Sequence, residues 1–245
     1  MKIEKSARYA ILALACTSTI STAIAQTCSA KSSDKITPVI ELYTSEGCSS
    51  CPPADKWLST LKDTSPAPVV QAFHVNYWDY IGWADRFAAP AYTVRQRQVS
   101  AWQKSNQIYT PQMVKDGRDW RNWNANLKAT EPASYTVTLQ QERGDVFSAQ
   151  VQPIAGLAQA QPWAAYWTVT EHGHSSKVLR GENSGEQLKH DFVVRQYQSA
   201  GEHSGASKLV LQSIAKDPAY PRQINLVVFN PVTGKPLQAL SLGCA

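Results

Sequence analysis

Cys48 and Cys51 are two thiols separated by Ser49-Ser50, a spacing that closes a small, easily cycled disulfide. They lie between a strand-like run, residues 39–44, and a helix-like run, residues 54–61. A helix N-terminus at this point stabilises a thiolate on the first cysteine through its aligned backbone dipoles. Pro52 and Pro53 agree with that placement, because the first helical turn has N–H groups without intrahelical partners and tolerates proline. The expected chemistry is thiol–disulfide exchange, in which a thiolate attacks a disulfide sulfur and a second cysteine resolves the mixed disulfide. Cys48 is the expected nucleophile and Cys51 the resolving thiol. Glu46, two residues upstream, either relays protons or raises the thiol pKa through its like charge.

Such a site also needs backbone that holds a substrate strand. Thr110-Pro111, ahead of the strand-like Gln112-Met113-Val114, suits that role: a cis proline removes an N–H and turns the preceding backbone outward. An ordinary trans proline at a strand start is the bland alternative. Tyr77, Trp78, Tyr80 and Trp83 offer flat apolar area for a substrate groove, with Asp79 or Asp85 to orient a polar group. Core packing is the commoner fate of such rings. Metal binding is the rival chemistry, with Cys48, Cys51 and His74 or another histidine clamping copper or zinc. His172 and His174 are expected to face solvent. A second CxxC or a histidine pair at motif spacing is missing, so neither a metal nor another cofactor is expected. No Gly-rich phosphate loop and no Gly-x-Ser-x-Gly elbow occur.

The ends of the chain place this chemistry outside the cytoplasm. Lys2, Lys5 and Arg8 precede an apolar stretch, and Ala23-Ile24-Ala25 is a small-x-small cleavage site, so residues 1–25 read as a secretory signal peptide. A membrane anchor is disfavoured by the interrupting Thr and Ser residues, and lipidation at Cys16 by the short apolar stretch before it. Cleavage leaves Cys28, Cys48, Cys51 and Cys244. Four cysteines allow three connectivities. The short loop favours Cys48 with Cys51, which leaves Cys28 with Cys244 as a structural bond across the chain ends. On the loop-entropy account that bond contributes about 5 kcal/mol at most. The formal charge of +5 is spread without a basic run, which gives no indication of nucleic acid.

Residues 26–130 alternate strand-like and helix-like segments, with a second buried strand near residues 69–75 and helices near 91–105 and 119–127. That order argues for an α/β layer with helices on the sheet faces. Residues 131–245 change texture: period-two runs flank Glu142-Arg143-Gly144-Asp145 as in a hairpin, and further short strands follow. An antiparallel β-rich, sandwich-like C-terminal domain is expected there.

The order strand, CxxC, helix, strand, helix, Thr-Pro, strand, Gly turn resembles the thioredoxin superfamily. More narrowly, Glu41-Leu42-Tyr43-Thr44-Ser45-Glu46-Gly47-Cys48-Ser49-Ser50-Cys51-Pro52-Pro53-Ala54-Asp55 is similar to the exported thioredoxin-like family DUF1223. The blocks at residues 73–83, Tyr109-Thr110-Pro111-Gln112 and Gly181-Glu182-Asn183-Ser184-Gly185 resemble other parts of that family. The resemblance implies an α/β thioredoxin-like domain before the β-rich one. It also implies Cys48 as nucleophile, Cys51 as resolving cysteine and Pro111 as a cis-proline. The aromatic connector, longer than a minimal thioredoxin has, departs from the pattern and points to a dedicated partner. The expected function is exchange on an exported protein or small thiol, in the periplasm, with a redox partner that recycles the dithiol. Nucleic acid is not an expected partner, nor is a membrane once the signal is removed. The competing expectation is a non-catalytic binding module whose CxxC is a structural disulfide or a metal clamp.

Overall fold

The computed structural model describes Met1 and residues 28–123, 127–156 and 162–244. A short strand, β1 (Ser29–Lys31), precedes β2 (Val39–Thr44), all six of whose residues are buried. Helix α1 (Pro52–Ser59) follows the cysteines, with prolines in its first turn, and it buries Ala54, Asp55 and Leu58. Strand β3 (Val69–His74) is also wholly buried and pairs in parallel with β2, from Val39 opposite Val69 to Thr44 opposite His74. A 3₁₀ segment, Asn76–Ile81, carries the aromatic connector to α2 (Pro90–Trp102). Strands β4 (Gln112–Lys115) and β5 (Arg118–Asp119) then extend the sheet antiparallel beyond β2.

Strands that bury both faces need cover on each side. Leu58 and Ala54 of α1 pack with Ile40, Leu42, Val70 and Met113 on one face. Tyr92 and Val99 of α2 pack with Tyr43, Phe73 and Val114 on the other. Arg95 of α2 reaches the buried Glu41 carboxylate at 2.7 Å, and its guanidinium lies 4.4 Å from the Tyr166 ring centre. A charged pair so deep costs desolvation unless its hydrogen bonds are satisfied. Tyr43 and Tyr166 both donate their hydroxyls to Glu41.

The remaining described elements are strands: β6 (Tyr135–Arg143), β7 (Val146–Pro153), β8 (Trp163–Glu171), β9 (His174–Lys177), β10 (Gln187–His190), β11 (Val193–His203), β12 (Ser207–Gln212), β13 (Arg222–Phe229) and β14 (Pro236–Leu242). One sheet has the order β1-β6-β7-β12. The other is mixed and eight-stranded, β14-β13-β8-β11-β3-β2-β4-β5. Their facing sides share one apolar cluster, with Val137, Leu139 and Phe147 from the first and Trp163, Trp167 and Leu226 from the second. Strands β9 and β10 form a small separate ladder that lies against α1.

The expected α/β thioredoxin-like domain followed by a β-rich one is therefore corrected. Strand occupies 42% and helix 15% of the described residues, and no thioredoxin α/β core occurs among them. The physical reason lies at the open edge of β3. Helices do not close the layer there; β11 takes that edge through the parallel pair Val193–Ala72, and β8, β13 and β14 continue the sheet antiparallel. The sheet thus crosses residue 130 without a break. The helix expected over 119–127 is also not formed where it is described, since Asp119 ends β5 and residues 120–123 are not helical; 124–126 lie outside the described residues. The expected signal peptide, residues 1–25, lies outside them too, apart from Met1. No described helix is long and apolar enough to cross a membrane.

Candidate functional site

Cys48 and Cys51 are joined in a disulfide, and so are Cys28 and Cys244. The Cys48–Cys51 loop is tied into the start of α1: the Cys51 N–H donates to the Cys48 carbonyl, and the N–H groups of Ala54 and Asp55 to that of Cys51. Ser49 and Ser50 are exposed, yet Cys48 is 1% and Cys51 0% accessible. The cover comes from far along the chain. The Asn183 side-chain amide donates to the carbonyls of Glu46 at 2.8 Å and Cys48 at 3.0 Å, while a Glu182 carboxylate oxygen accepts from the Ser49 N–H at 3.0 Å. Ser49, through its side chain first and this N–H second, lowers the pKa of the Glu182 carboxyl.

The Thr110–Pro111 peptide is cis. Its link to the cysteine loop is Trp78, whose indole N–H donates to the Thr110 hydroxyl at 2.7 Å. The same tryptophan lies against Gly47, where an added Cβ would come within 3.1 Å of Trp78 Cβ. A side chain at position 47 would press on Trp78 Cβ and on Ile81, so glycine lets this segment approach closely. Pro111 lines a cleft of about 690 Å³ with Ile108, Tyr109, Met113, Trp120 and Trp123. Trp57 of α1 meets Trp120 and Trp123 edge-on or tilted, which puts α1 beside this cleft. Tyr80 is exposed, while Trp83 donates its N–H to Glu46 at 2.8 Å.

Behind the disulfide lies a buried polar cluster of Glu46, Asp55, His74, Asp85 and His190. His74 Nδ1 is 2.7 Å from Asp85, and the same Asp85 oxygen accepts the Glu46 N–H at 2.9 Å. Burial opposes ionisation of Asp85, but His74 and the backbone N–H groups of Glu46 and Phe87 bring its pKa down to about 2. His190 Nε2 is 3.2 Å from Glu46 Oε1 and its Nδ1 is 3.9 Å from Asp55 Oδ1. Neither contact has hydrogen-bond alignment, so both are charge contacts. Burial works against a charge on His190, but Asp55 and Glu46 push its pKa up to about 9. Burial likewise raises the Glu46 pKa, and His190, Ser176 and Trp83 more than offset it, leaving it lowered. Glu46 thus faces His190 and Trp83, and its carboxylate is already engaged. Asp55 Oδ2 accepts from the Thr44 hydroxyl at 2.9 Å.

The family profile described as "Protein of unknown function (DUF1223)" matches residues 39–230. The chain belongs to the DUF1223 family. The matched DUF1223 span contains Cys48, Cys51, Pro111, Asn183 and His190, and leaves Cys28 and Cys244 outside. No curated protein matches the chain. Among solved structures, a crystal structure of a protein from Agrobacterium tumefaciens is similar at 20% identity and a TM-score of 0.61, covering 86% of this chain and 96% of that one. HBP35 of Porphyromonas gingivalis is similar at 14% identity and a TM-score of 0.57, covering 85% of this chain and 75% of that one. At such identities the likeness concerns the fold.

The structure brings Cys48, Cys51, Glu46, Trp78 and Thr110 of this DUF1223 chain into one connected region. Sequence reasoning missed His190, and quoted Asp55 and Asn183 only as parts of family blocks. The readable signal for Asp55 was an acid in the first turn of the helix after the cysteines, facing inward with Ala54 and Leu58. His174, expected at the surface, is buried instead, 2.8 Å from Glu171 and stacked on Tyr220.

Proposed function

We propose that this DUF1223 protein is an exported, periplasmic oxidoreductase that carries out thiol–disulfide exchange through Cys48 and Cys51. The observation that supports this best is the disulfide itself, a minimal loop at the N-terminus of α1 to which the covering turn is tied by the side chains of Asn183 and Glu182. A thiolate of an exported dithiol substrate attacks Cys48 Sγ, a new S–S bond forms, and the Cys48–Cys51 bond breaks with Cys51 leaving as the thiolate. The helix N-terminus favours that leaving charge. The substrate's second thiolate then attacks the mixed disulfide, forms the substrate disulfide and releases Cys48 as a thiolate. The substrate loses two electrons and the protein gains them; the protons lost by the substrate thiols pass to the two cysteines or to water. Run in reverse, the same steps reduce a substrate disulfide, and a redox partner resets the pair. The aromatic cleft around Pro111 is the proposed seat of the substrate segment.

The burial of both sulfurs favours a second reading, a binding module whose Cys48–Cys51 bond is permanent. One experiment separates the two. In the full chain, Cys51→Ala should accumulate mixed disulfides with exported proteins through Cys48, and Cys51→Ala with Cys48→Ser should accumulate none. Exchange is rejected if no adduct forms and the wild-type bond resists millimolar glutathione.

A further inference from the structure

Each buried histidine behind the disulfide has one ring nitrogen against a carboxylate and the other turned toward a shared space. His74 uses Nδ1 for Asp85, and its Nε2 is fully buried without a hydrogen-bond partner. His190 places Nε2 beside Glu46, and its Nδ1, also without a hydrogen-bond partner, lies 3.9 Å from Asp55 Oδ1. The two rings meet edge-to-face with centres 5.0 Å apart. One ligand atom each from Asp55, His74 and His190 can be chosen so that all lie within 4.8 Å of one another. We propose that Asp55, His74 and His190 form a binding site for a divalent first-row transition ion such as zinc, with Asp85 and Glu46 orienting the two imidazoles.

Three arguments carry the assignment. The first is donor chemistry: two imidazoles and a carboxylate suit borderline divalent ions, and a carboxylate on the far nitrogen of each ligating histidine fixes its orientation and raises its basicity. The second is charge. Glu46, Asp55 and Asp85 are three buried carboxylates, and their ion pairs among the described residues are to the two histidines alone. Neutral imidazoles, the form that ligates a metal, leave these buried carboxylates without any cation, an expensive state in a buried setting. A dication supplies two positive charges to the set. The third is size and access. Zinc bonds of about 2.0–2.2 Å at tetrahedral angles set ligand atoms about 3.4 Å apart, so side-chain shifts of about an ångström close a set whose atoms lie within 4.8 Å. Asp55 and His190 both line a cleft of about 400 Å³ between α1 and β10, which gives an ion a route in and leaves room for a water as a further ligand. The sulfurs of Cys48 and Cys51 are bonded to each other and take no part, so the site is independent of the exchange chemistry.

The test uses the full, oxidised chain with both disulfides intact, freed of metal by chelation. Titration with Zn2+ should give one equivalent bound per chain and a raised Tm. Co2+ should give the visible bands of a nitrogen–oxygen site without a thiolate-to-cobalt charge-transfer band. His74→Gln and His190→Gln should each abolish the stoichiometric uptake, and Asp85→Asn should weaken it by roughly 10–100-fold. Circular dichroism checks that each variant folds. The wild-type cobalt spectrum stands even where a variant does not. The proposal is overturned if oxidised wild-type protein takes up no Zn2+ beyond the level of His74→Gln with His190→Gln, or if the cobalt spectrum carries the sulfur band.

Discussion

The side-chain amide of Asn183 donates to the Cys48 carbonyl at 3.0 Å across 135 positions of sequence. The same nitrogen serves the Glu46 carbonyl at 2.8 Å, so one residue fixes the backbone on either side of Gly47. Asn183 is itself buried in the turn at Gly181-Glu182-Asn183-Ser184, and that turn covers the disulfide. Asn183→Ala leaves two carbonyls without this donor, at a cost of about 1–3 kcal/mol. The turn should loosen and expose Cys48. We expect a lower Tm and a faster second-order rate of reduction by dithiothreitol. A reduction rate equal to wild type would show that the turn does not gate the bond.

The Trp78–Thr110 hydrogen bond is the bridge between the cysteine loop and the Pro111 cleft. Trp78→Phe keeps the Cβ that lies against Gly47 and an aromatic ring beyond it, but removes the donor. Stability should fall by about 0.5–1.5 kcal/mol, the usual net worth of one hydrogen bond. Reduction by a small thiol should proceed at the wild-type rate. Capture of protein partners by the Cys51→Ala protein should decline when Trp78→Phe is added, because the cleft is no longer registered to Cys48. Equal capture with and without the change would remove the cleft from the exchange scheme.

How much of this was legible beforehand depends on sequence distance. The cysteine loop, the prolines of α1 and strands β2, β3, β6, β7 and β13 announce themselves within windows of a few residues. The cover of the disulfide and the histidine cluster do not, because Asn183 and His190 reach the cysteine region only through the β9–β10 ladder. The error in fold class has the same origin. Strands β2 and β3 bury both faces, as strands of a helix-covered sheet do, and nothing local in Val193 says that it will pair in parallel with Ala72. That contact turns a small layer into an eight-stranded mixed sheet.

Cys28 precedes β1 in one sheet of the sandwich, and Cys244 follows β14 in the other. Their bond therefore pins the two sheets together at the chain ends, across a separation of 216 residues. In the loop-entropy account such a closure contributes about 5 kcal/mol, and measured losses for native disulfides run at about 2–5 kcal/mol. Cys28→Ser with Cys244→Ser should lower the urea midpoint accordingly. Reduction of Cys48–Cys51 should be unaffected at temperatures where the variant stays folded. An unchanged midpoint would mean that packing of β1 on β6 already holds the ends.

The pair Glu41–Arg95 gives the pH dependence its sign. Burial alone raises the Glu41 pKa, but the Arg95 charge and its hydrogen bond, with Tyr43 and Tyr166, outweigh burial and leave it below 4.5. A carboxyl depressed in the folded state contributes stability that is fully present above its unfolded pKa and is lost as pH falls through the folded one. Tm should therefore be flat in this respect near neutrality and decline once pH drops below about 4.5. Glu41→Gln leaves Arg95 charged and unpaired in the core, and should cost about 3–5 kcal/mol at pH 7. Because the substituted side chain no longer titrates, the acid slope of Tm should be shallower than in wild type. Parallel slopes for the two proteins between pH 7 and the acid limit would show that other carboxylates, not Glu41, set the acid sensitivity.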